Sequence, residues 1–202
     1  MDKMNFETLL HKKTENKDLS PNIYNCFLTA IDELDYADHE LCKKYLEAPA
    51  AKGHHGAHKY GLIEHSINVA LNLLDWREHH PDCDLSVEEC VLLGLFHDLT
   101  KADTYFFKED FSIDCDREKY KHHALRTIQL IKKFGWKFDT KYRVMILLHM
   151  SGWENEEDLK ALTLRDRLWL MNPKHILLVQ AINWADMKAT KDEELDELKN
   201  KL

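Results

Sequence analysis

Apolar residues recur at three- and four-residue intervals along most of this chain, the period of helices buried along one face. Ile23, Phe27, Ala30, Ile31 and Leu34 form one such stripe. Pro21 can open it, and the spacing predicts a helix to about Glu47. Ala48-Pro49 and Gly53-His54-His55-Gly56 then break the pattern. A second helix is expected from Leu62 to Arg77, and a third from Ser86 to His97. Ser86 and Glu89 stand at the spacing of a capping box. Val91, Leu92, Leu93, Leu95 and Phe96 leave the third helix almost no polar face, so it belongs at the centre. Helical pattern returns at 117–134, 140–150, briefly at 156–162, and at 174–189. Between 103 and 116, Tyr105, Phe106, Phe107, Phe111 and Ile113 alternate with charges, which predicts a short hairpin or irregular insert. The expected architecture is an all-α bundle over 21–190. A polar lead (1–20) would precede it, and a charged, solvated helical tail (191–202) would follow.

Composition narrows the class. Six Gly and four Pro among 202 residues favour helix, and the length suits one domain with a sizeable core. No apolar run approaches the roughly 18 residues of a membrane span, and Met1 to Ser20 lacks the apolar centre of a secretory signal. A soluble cytoplasmic protein with no membrane partner is expected. The five Cys are scattered without a C-x-x-C pair, which argues for free thiols rather than a disulfide framework or zinc clip. A formal net charge of -8 argues against broad binding to duplex nucleic acid, yet allows a cleft made locally positive by metal ions. It leaves the oligomeric state open.

The chemistry concentrates in Leu95-Phe96-His97-Asp98-Leu99-Thr100-Lys101, an adjacent imidazole and carboxylate at the end of an apolar run. A carboxylate can bridge two ions while an imidazole fixes one. Four more groups share the pattern. His65 lies in register with Leu62 and Val69; His123 precedes Leu130 and Ile131; His149 ends Val144-Met145-Ile146-Leu147-Leu148; Asp186 follows Val179 and Ile182. Each points toward a dry interior, where an unpartnered ionisable group costs several kcal/mol. Four imidazoles and two carboxylates converging in one bundle suit divalent Mn, Fe, Co, Ni or Zn.

The order His65, His97-Asp98, His123, His149, Asp186 resembles the HD-domain superfamily of helical metal-dependent phosphohydrolases, in its two-metal variant. The similarity extends through Ala48-Pro49-Ala50-Ala51-Lys52-Gly53-His54-His55, Tyr60-Gly61-Leu62-Ile63-Glu64-His65-Ser66, His149-Met150-Ser151-Gly152-Trp153 and Trp184-Ala185-Asp186-Met187-Lys188-Ala189. These stretches resemble the HD domain of bacterial 3′–5′ exoribonucleases and their stand-alone bacterial and phage relatives. That group usually carries two glycines before the position of Leu62, where this chain has Tyr60-Gly61.

The resemblance implies residue roles. His65, His97, Asp98 and Asp186 would hold a first divalent ion, Asp98 would bridge to a second, and His123 and His149 would complete that one. Asp98 and Lys101 would be catalytic, with Lys101, His55 and His58 near the substrate phosphate. His123 is preferred over His122 because Thr127, Leu130 and Ile131 fall at the offsets where relatives place small and apolar residues. The implied activity is hydrolysis of a phosphate ester of a nucleotide or short oligonucleotide by water activated between two ions. No G-x-S-x-G, P-loop or G-x-G-x-x-G points to another chemistry. Two alternatives stand beside it: a di-iron HD oxygenase, which uses nearly the same ligand set, and a non-catalytic nucleotide-binding HD module, which need not keep all six groups.

Overall fold

The computed structural model describes residues 3–15, 17, 19–53, 56–137, 139–150 and 159–199. They form an all-α bundle with one small hairpin. The helices are α1 (Lys3–Thr14), α2 (Pro21–Ala37), α3 (His39–Glu47), α4 (Gly61–His79), α5 (Val87–Phe96), α6 (Arg117–Lys121), α7 (His123–Lys133), α8 (Thr140–Leu147), α9 (Leu164–Leu170) and α10 (Pro173–Lys199). A 3-10 turn (Leu99–Asp103) follows α5 and leads into strands β1 (Tyr105–Phe107) and β2 (Ile113–Cys115).

Two stretches expected as single helices are split, each at a residue that leaves helical geometry. Asp38 is extended, with φ -159° and ψ 91°. Its backbone N–H closes α2 on the Leu34 carbonyl, while its carboxylate accepts from Leu41 N and starts α3. His122, with φ -120° and ψ 23°, separates α6 from α7 and lets the chain turn before His123. The polar lead contains α1, whose Phe6 and Leu10 are fully buried. The insert is a hairpin: Tyr105 pairs with Cys115, Phe106 with Asp114 and Phe107 with Ile113.

The centre of the bundle is the crossing of α4 and α5. Capping by Ser86 and Glu89 starts α5 as the spacing predicted. Gly94 lies so close to Ala70 that any side chain would enter the Ala70 backbone. Leu62, Ile63, Ile67, Val69, Leu73, Val91 and Leu95 are fully buried around this crossing. Each large apolar side chain there contributes about 1.5–3 kcal/mol of transfer free energy. Helix α3 is tied on by the Tyr45 hydroxyl, which donates to the Leu95 carbonyl. Helix α10 is tied to α4 by Asn72, whose amide donates to the Ala185 carbonyl at 3.0 Å.

Tyr60 enters α4 with φ +75°, a left-handed conformation that glycine adopts without steric cost. This is why a glycine pair suits the position. Gly61 that follows is needed for another reason, since a side chain there would collide with the Gly56 backbone.

No helix among the described residues is long and apolar enough to cross a membrane.

Candidate metal centre

The six groups singled out from sequence come from different elements and meet at one end of the α4–α5 crossing. His65 is on α4, His97 and Asp98 follow α5, His123 begins α7, His149 follows α8, and Asp186 is on α10. His65, His97, Asp98, His123 and His149 are buried, and Asp186 is nearly so. Three overlapping groups have ligating atoms within 4.8 Å of one another: His65–His97–Asp98, His97–His149–Asp186 and Asp98–His123–His149.

Local backbone structure presets the imidazoles. Nδ1–H of His97 donates to the Gly94 carbonyl at 2.9 Å, that of His123 to Tyr120 at 2.9 Å, and that of His149 to Ile146 at 2.7 Å. Each bond commits the Nδ1 proton and turns Nε2 inward, the pattern that orients histidine toward a metal. His123 Nε2 and His149 Nε2 then face each other at 3.4 Å, and they lie 3.4 and 3.5 Å from Asp98 Oδ1. Edges of about 3.4 Å are the separation of ligands that share one ion at about 2.1 Å in tetrahedral array.

On the other side, His97 Nε2 is 3.3 Å from Asp98 Oδ2 and 3.9 Å from Asp186 Oδ1, and His65 Nε2 is 2.9 Å from Asp186 Oδ1. His97 Nε2 and both Asp98 oxygens are buried without a properly directed hydrogen bond among the described residues. Asp98 Oδ2 has the Lys101 ammonium beside it, but buried polar atoms without directed hydrogen bonds are still expensive. A divalent ion on each side of Asp98 would satisfy all of them, so the donor set fits the ions implied by the sequence.

Without an ion, the electrostatics divide the imidazoles: burial pushes His123 toward the neutral form, while carboxylates raise His65 and His149 against burial. Burial alone would raise the Asp98 pKa, yet Lys101, His97 and His149 hold it well below the ordinary carboxylate range. Lys101 Nζ lies 2.5 Å from Asp98 Oδ2; burial opposes its charge, but Asp98 and Asp186 push its pKa up. Burial, opposed by Asp98 and aided by Lys101 and His149, lowers His123 to about 4, so its ring stays neutral as a ligand must. For His65, burial disfavours the cation, but hydrogen bonds to Asp186 and Glu193 prevail and bring it to about 10.

A polar network fixes the segment carrying Asp98 and Lys101. Thr100 Oγ1 donates to the His123 carbonyl at 2.8 Å and meets Thr127 Oγ1 at 3.0 Å. Arg126 grips Asp103 with two bonds of 2.7 Å, and Thr104 Oγ1 donates to the Thr100 carbonyl at 2.8 Å. The 3-10 turn is thereby locked to α7, which sets the distance from Asp98 to His123.

The remaining sequence candidates fall elsewhere. His58 is exposed, and its Nδ1–H donates to the Lys59 carbonyl at 2.9 Å. It borders a cleft of about 530 Å³ with Gly61, Glu64, Asn68, Lys188 and Glu193. His55 lies outside the described residues, as does the Ser151-Gly152-Trp153 stretch. His122 joins none of the three ligand groups.

Sequence reasoning missed Glu193, read as part of a solvated tail. Its Oε2 is 3.2 Å from His65 Nδ1, and its Oε1 accepts from Asn68 Nδ2 at 2.7 Å. The available signal was its place seven residues after Asp186, on the same helical face. Asn183 was missed as well: oriented to satisfy its bonds, its amide donates to the Leu148 and His149 carbonyls.

Comparison with known proteins places this arrangement. A family model described as the HD domain matches residues 62–187. The chain is 33% identical over 91 residues to the dihydroneopterin 2′,3′-cyclic phosphate phosphodiesterase of Methanocaldococcus jannaschii. That stretch covers 43% of this chain and 36% of the relative, so the match spans little more than a third of the relative's length. No solved structure matches.

Proposed function

The chain belongs to the HD-domain family of metal-dependent phosphohydrolases, and from that premise we propose that it hydrolyses a phosphate ester of a nucleotide or short oligonucleotide at a two-ion centre. The observation that carries the reading is the buried meeting of His97 Nε2 with the Asp98 carboxylate, whose atoms lack directed hydrogen bonds, with Nε2 of His123 and His149 turned toward Asp98 Oδ1. His65, His97, Asp98 and Asp186 would hold one ion; Asp98, His123 and His149 would hold the other. When bound, divalent ions supply Lewis acidity toward phosphate oxygens and activate water.

The chain's own groups supply the rest. Backbone carbonyls of Gly94, Tyr120 and Ile146 accept Nδ1–H of three imidazoles and so turn Nε2 of each inward. Lys101, buried beside Asp98, offers a fixed positive charge for a phosphate oxygen. In the overall reaction one ester P–O bond breaks and water's oxygen joins phosphorus. One proton of that water goes to the leaving alkoxide, the other to solvent. That the relative is named for a 2′,3′-cyclic phosphate supports a diester as the bond class.

The test is metal content by mass spectrometry for wild type and Asp98→Ala after loading with Mn(II), with turnover of 2′,3′-cyclic nucleotides and dinucleotides under argon. Close to two ions per chain, oxygen-independent turnover, and loss of both in Asp98→Ala are expected. A wild type that binds no ion, or an Asp98→Ala variant with full activity, overturns the two-ion reading.

A further inference from the structure

The hairpin between the Asp98–Lys101 segment and His123 spends its surface in an unusual way. It exposes Phe106 (49%), Phe107 (39%) and Phe111 (86%), and Tyr120 just beyond it is 36% exposed. Phe111 also sits at φ +61°, a left-handed conformation that disfavours a residue with a side chain. The turn is nonetheless ordered, since Phe111 N donates to the Lys108 carbonyl at 2.9 Å and Asp110 accepts from both Ser112 N and Ser112 Oγ. Large apolar side chains held out in this way contribute little to folding.

These rings are continuous with the metal centre. The Tyr120 ring stacks on His123 with centroids 5.5 Å apart and an interplanar angle of 18°. Tyr105 meets Tyr120 edge-on at 6.0 Å. Through Tyr120, the Tyr105 ring is thus linked to the His123 imidazole. Because strand side chains alternate, Phe107 shares the face of Tyr105, together with Ile113 and Cys115 across the pair. The two rings are thus rooted about 6.6 Å apart along one strand, close to the spacing of successive bases in an extended single strand.

We propose that Tyr105 and Phe107 form an aromatic stacking platform that selects substrates carrying flat heteroaromatic bases beside the reacting phosphate. Tyr105 takes the base nearest the scissile bond, and Phe107 takes the next one. The favoured substrate is therefore a single-stranded oligonucleotide of two or three residues rather than a sugar or lipid phosphate. This rests on the phosphohydrolase reading for its catalytic arm. Its binding arm stands independently.

The experiment compares a trinucleotide, a mononucleotide and a base-free trimer of the same sugar-phosphate backbone. It measures kcat and KM with Mn(II), and separately fluorescence anisotropy of a labelled trinucleotide on the metal-free protein. Phe107→Ser should raise trinucleotide KM and Kd about five- to 150-fold, the range of base–aromatic stacking per base, with base-free turnover unchanged. Tyr105→Leu should weaken trinucleotide and mononucleotide alike, while Tyr105→Phe, which keeps the ring, should restore both. Turnover that is equal on base-bearing and base-free substrates, or lost equally on both in Phe107→Ser, overturns the platform and leaves hydrolysis intact. Trinucleotide binding that depends on Phe107 without any turnover retains the platform and removes the hydrolase reading. Binding indifferent to Phe107 and Tyr105 also overturns the platform.

Discussion

His65 on α4 is bracketed by two carboxylates of α10: Asp186 Oδ1 lies 2.9 Å from its Nε2, and Glu193 Oε2 lies 3.2 Å from its Nδ1. The seven-residue spacing sets both acids on one face, and the buried Ala189 lies between them. The other three imidazoles donate Nδ1–H to a carbonyl of their own local segment. For His65, in the second turn of α4, a carboxylate from α10 takes that role.

Carboxylates that orient a ligating histidine typically carry 10- to 100-fold in metal affinity. Glu193→Ala should therefore weaken Mn(II) binding by about that factor in calorimetric titration. Glu193→Gln, which still offers an oxygen acceptor to Nδ1–H, should lose less. An unchanged affinity in Glu193→Ala would reduce Glu193 to a partner of Asn68.

Adjacent histidines give a sharp comparison. His123 Nε2 lies 3.4 Å from Asp98 Oδ1, whereas His122 ends α6 and joins no ligand group. His123→Ala should lose one of two bound ions and at least about a hundredfold in kcat, as expected when a group stabilising the transition state is removed. His122→Ala should retain both ions. The opposite outcome in metal analysis would reassign the ligand.

Much of this site was legible in sequence because burial at a helical period marks a polar group that needs a partner. His65, His97, Asp98, His123, His149 and Asp186 all carry that mark. The hairpin was foreshadowed by aromatic and charged residues mixed at 103–116, a pattern with no helical face. What escaped was tertiary. Glu193 stands in a run of Asp, Glu, Leu and Lys that looks solvated until α10 is laid against α4. The breaks at Asp38 and His122 depend on side-chain and backbone torsions, not on apolar spacing. In α1, Phe6 and Leu10 are buried with Leu9 packed beside them, a stripe of little more than one turn, too short to stand out in a charged segment.

Away from the metals, Asp166 joins α9 to α8. Its Oδ2 accepts from Arg143 Nε at 2.9 Å and from both N–H and Oγ1 of Thr163, and its side chain is 2% exposed. Burial opposes its charge, but these donors hold its pKa below the ordinary value. Asp166→Ala should cost about 3 kcal/mol, the lower end for breaking a buried pair, because Arg143 keeps its bond to the Ala161 carbonyl and some solvent contact. A depressed folded pKa means that the pH-dependent contribution is present above the unfolded value of about 3.9 and is lost as pH falls through the folded one. Urea titrations should give a constant gap between wild type and variant from pH 5 to 8. That gap should shrink below about pH 4. A gap that widened on acidification would show that Asp166 is not held as the anion.

Gly94→Ala sets two effects against each other at the α4–α5 crossing. Helix propensity favours alanine by about 1 kcal/mol in an exposed helix. Here the new methyl would enter the Ala70 backbone, which cannot turn aside as a side chain could. Overpacking of this kind costs about 1–3 kcal/mol and occasionally more, so steric cost should win and thermal stability should fall. The site should register the same strain, because the Gly94 carbonyl accepts the His97 Nδ1 proton and Asp98 follows directly. The variant should therefore show both a lower Tm without metal and a weaker Mn(II) affinity. A folded variant with a higher Tm would mean that α4 and α5 separate at little cost. Loss of Tm with unchanged metal affinity would mean that His97 holds its orientation without the helix beneath it.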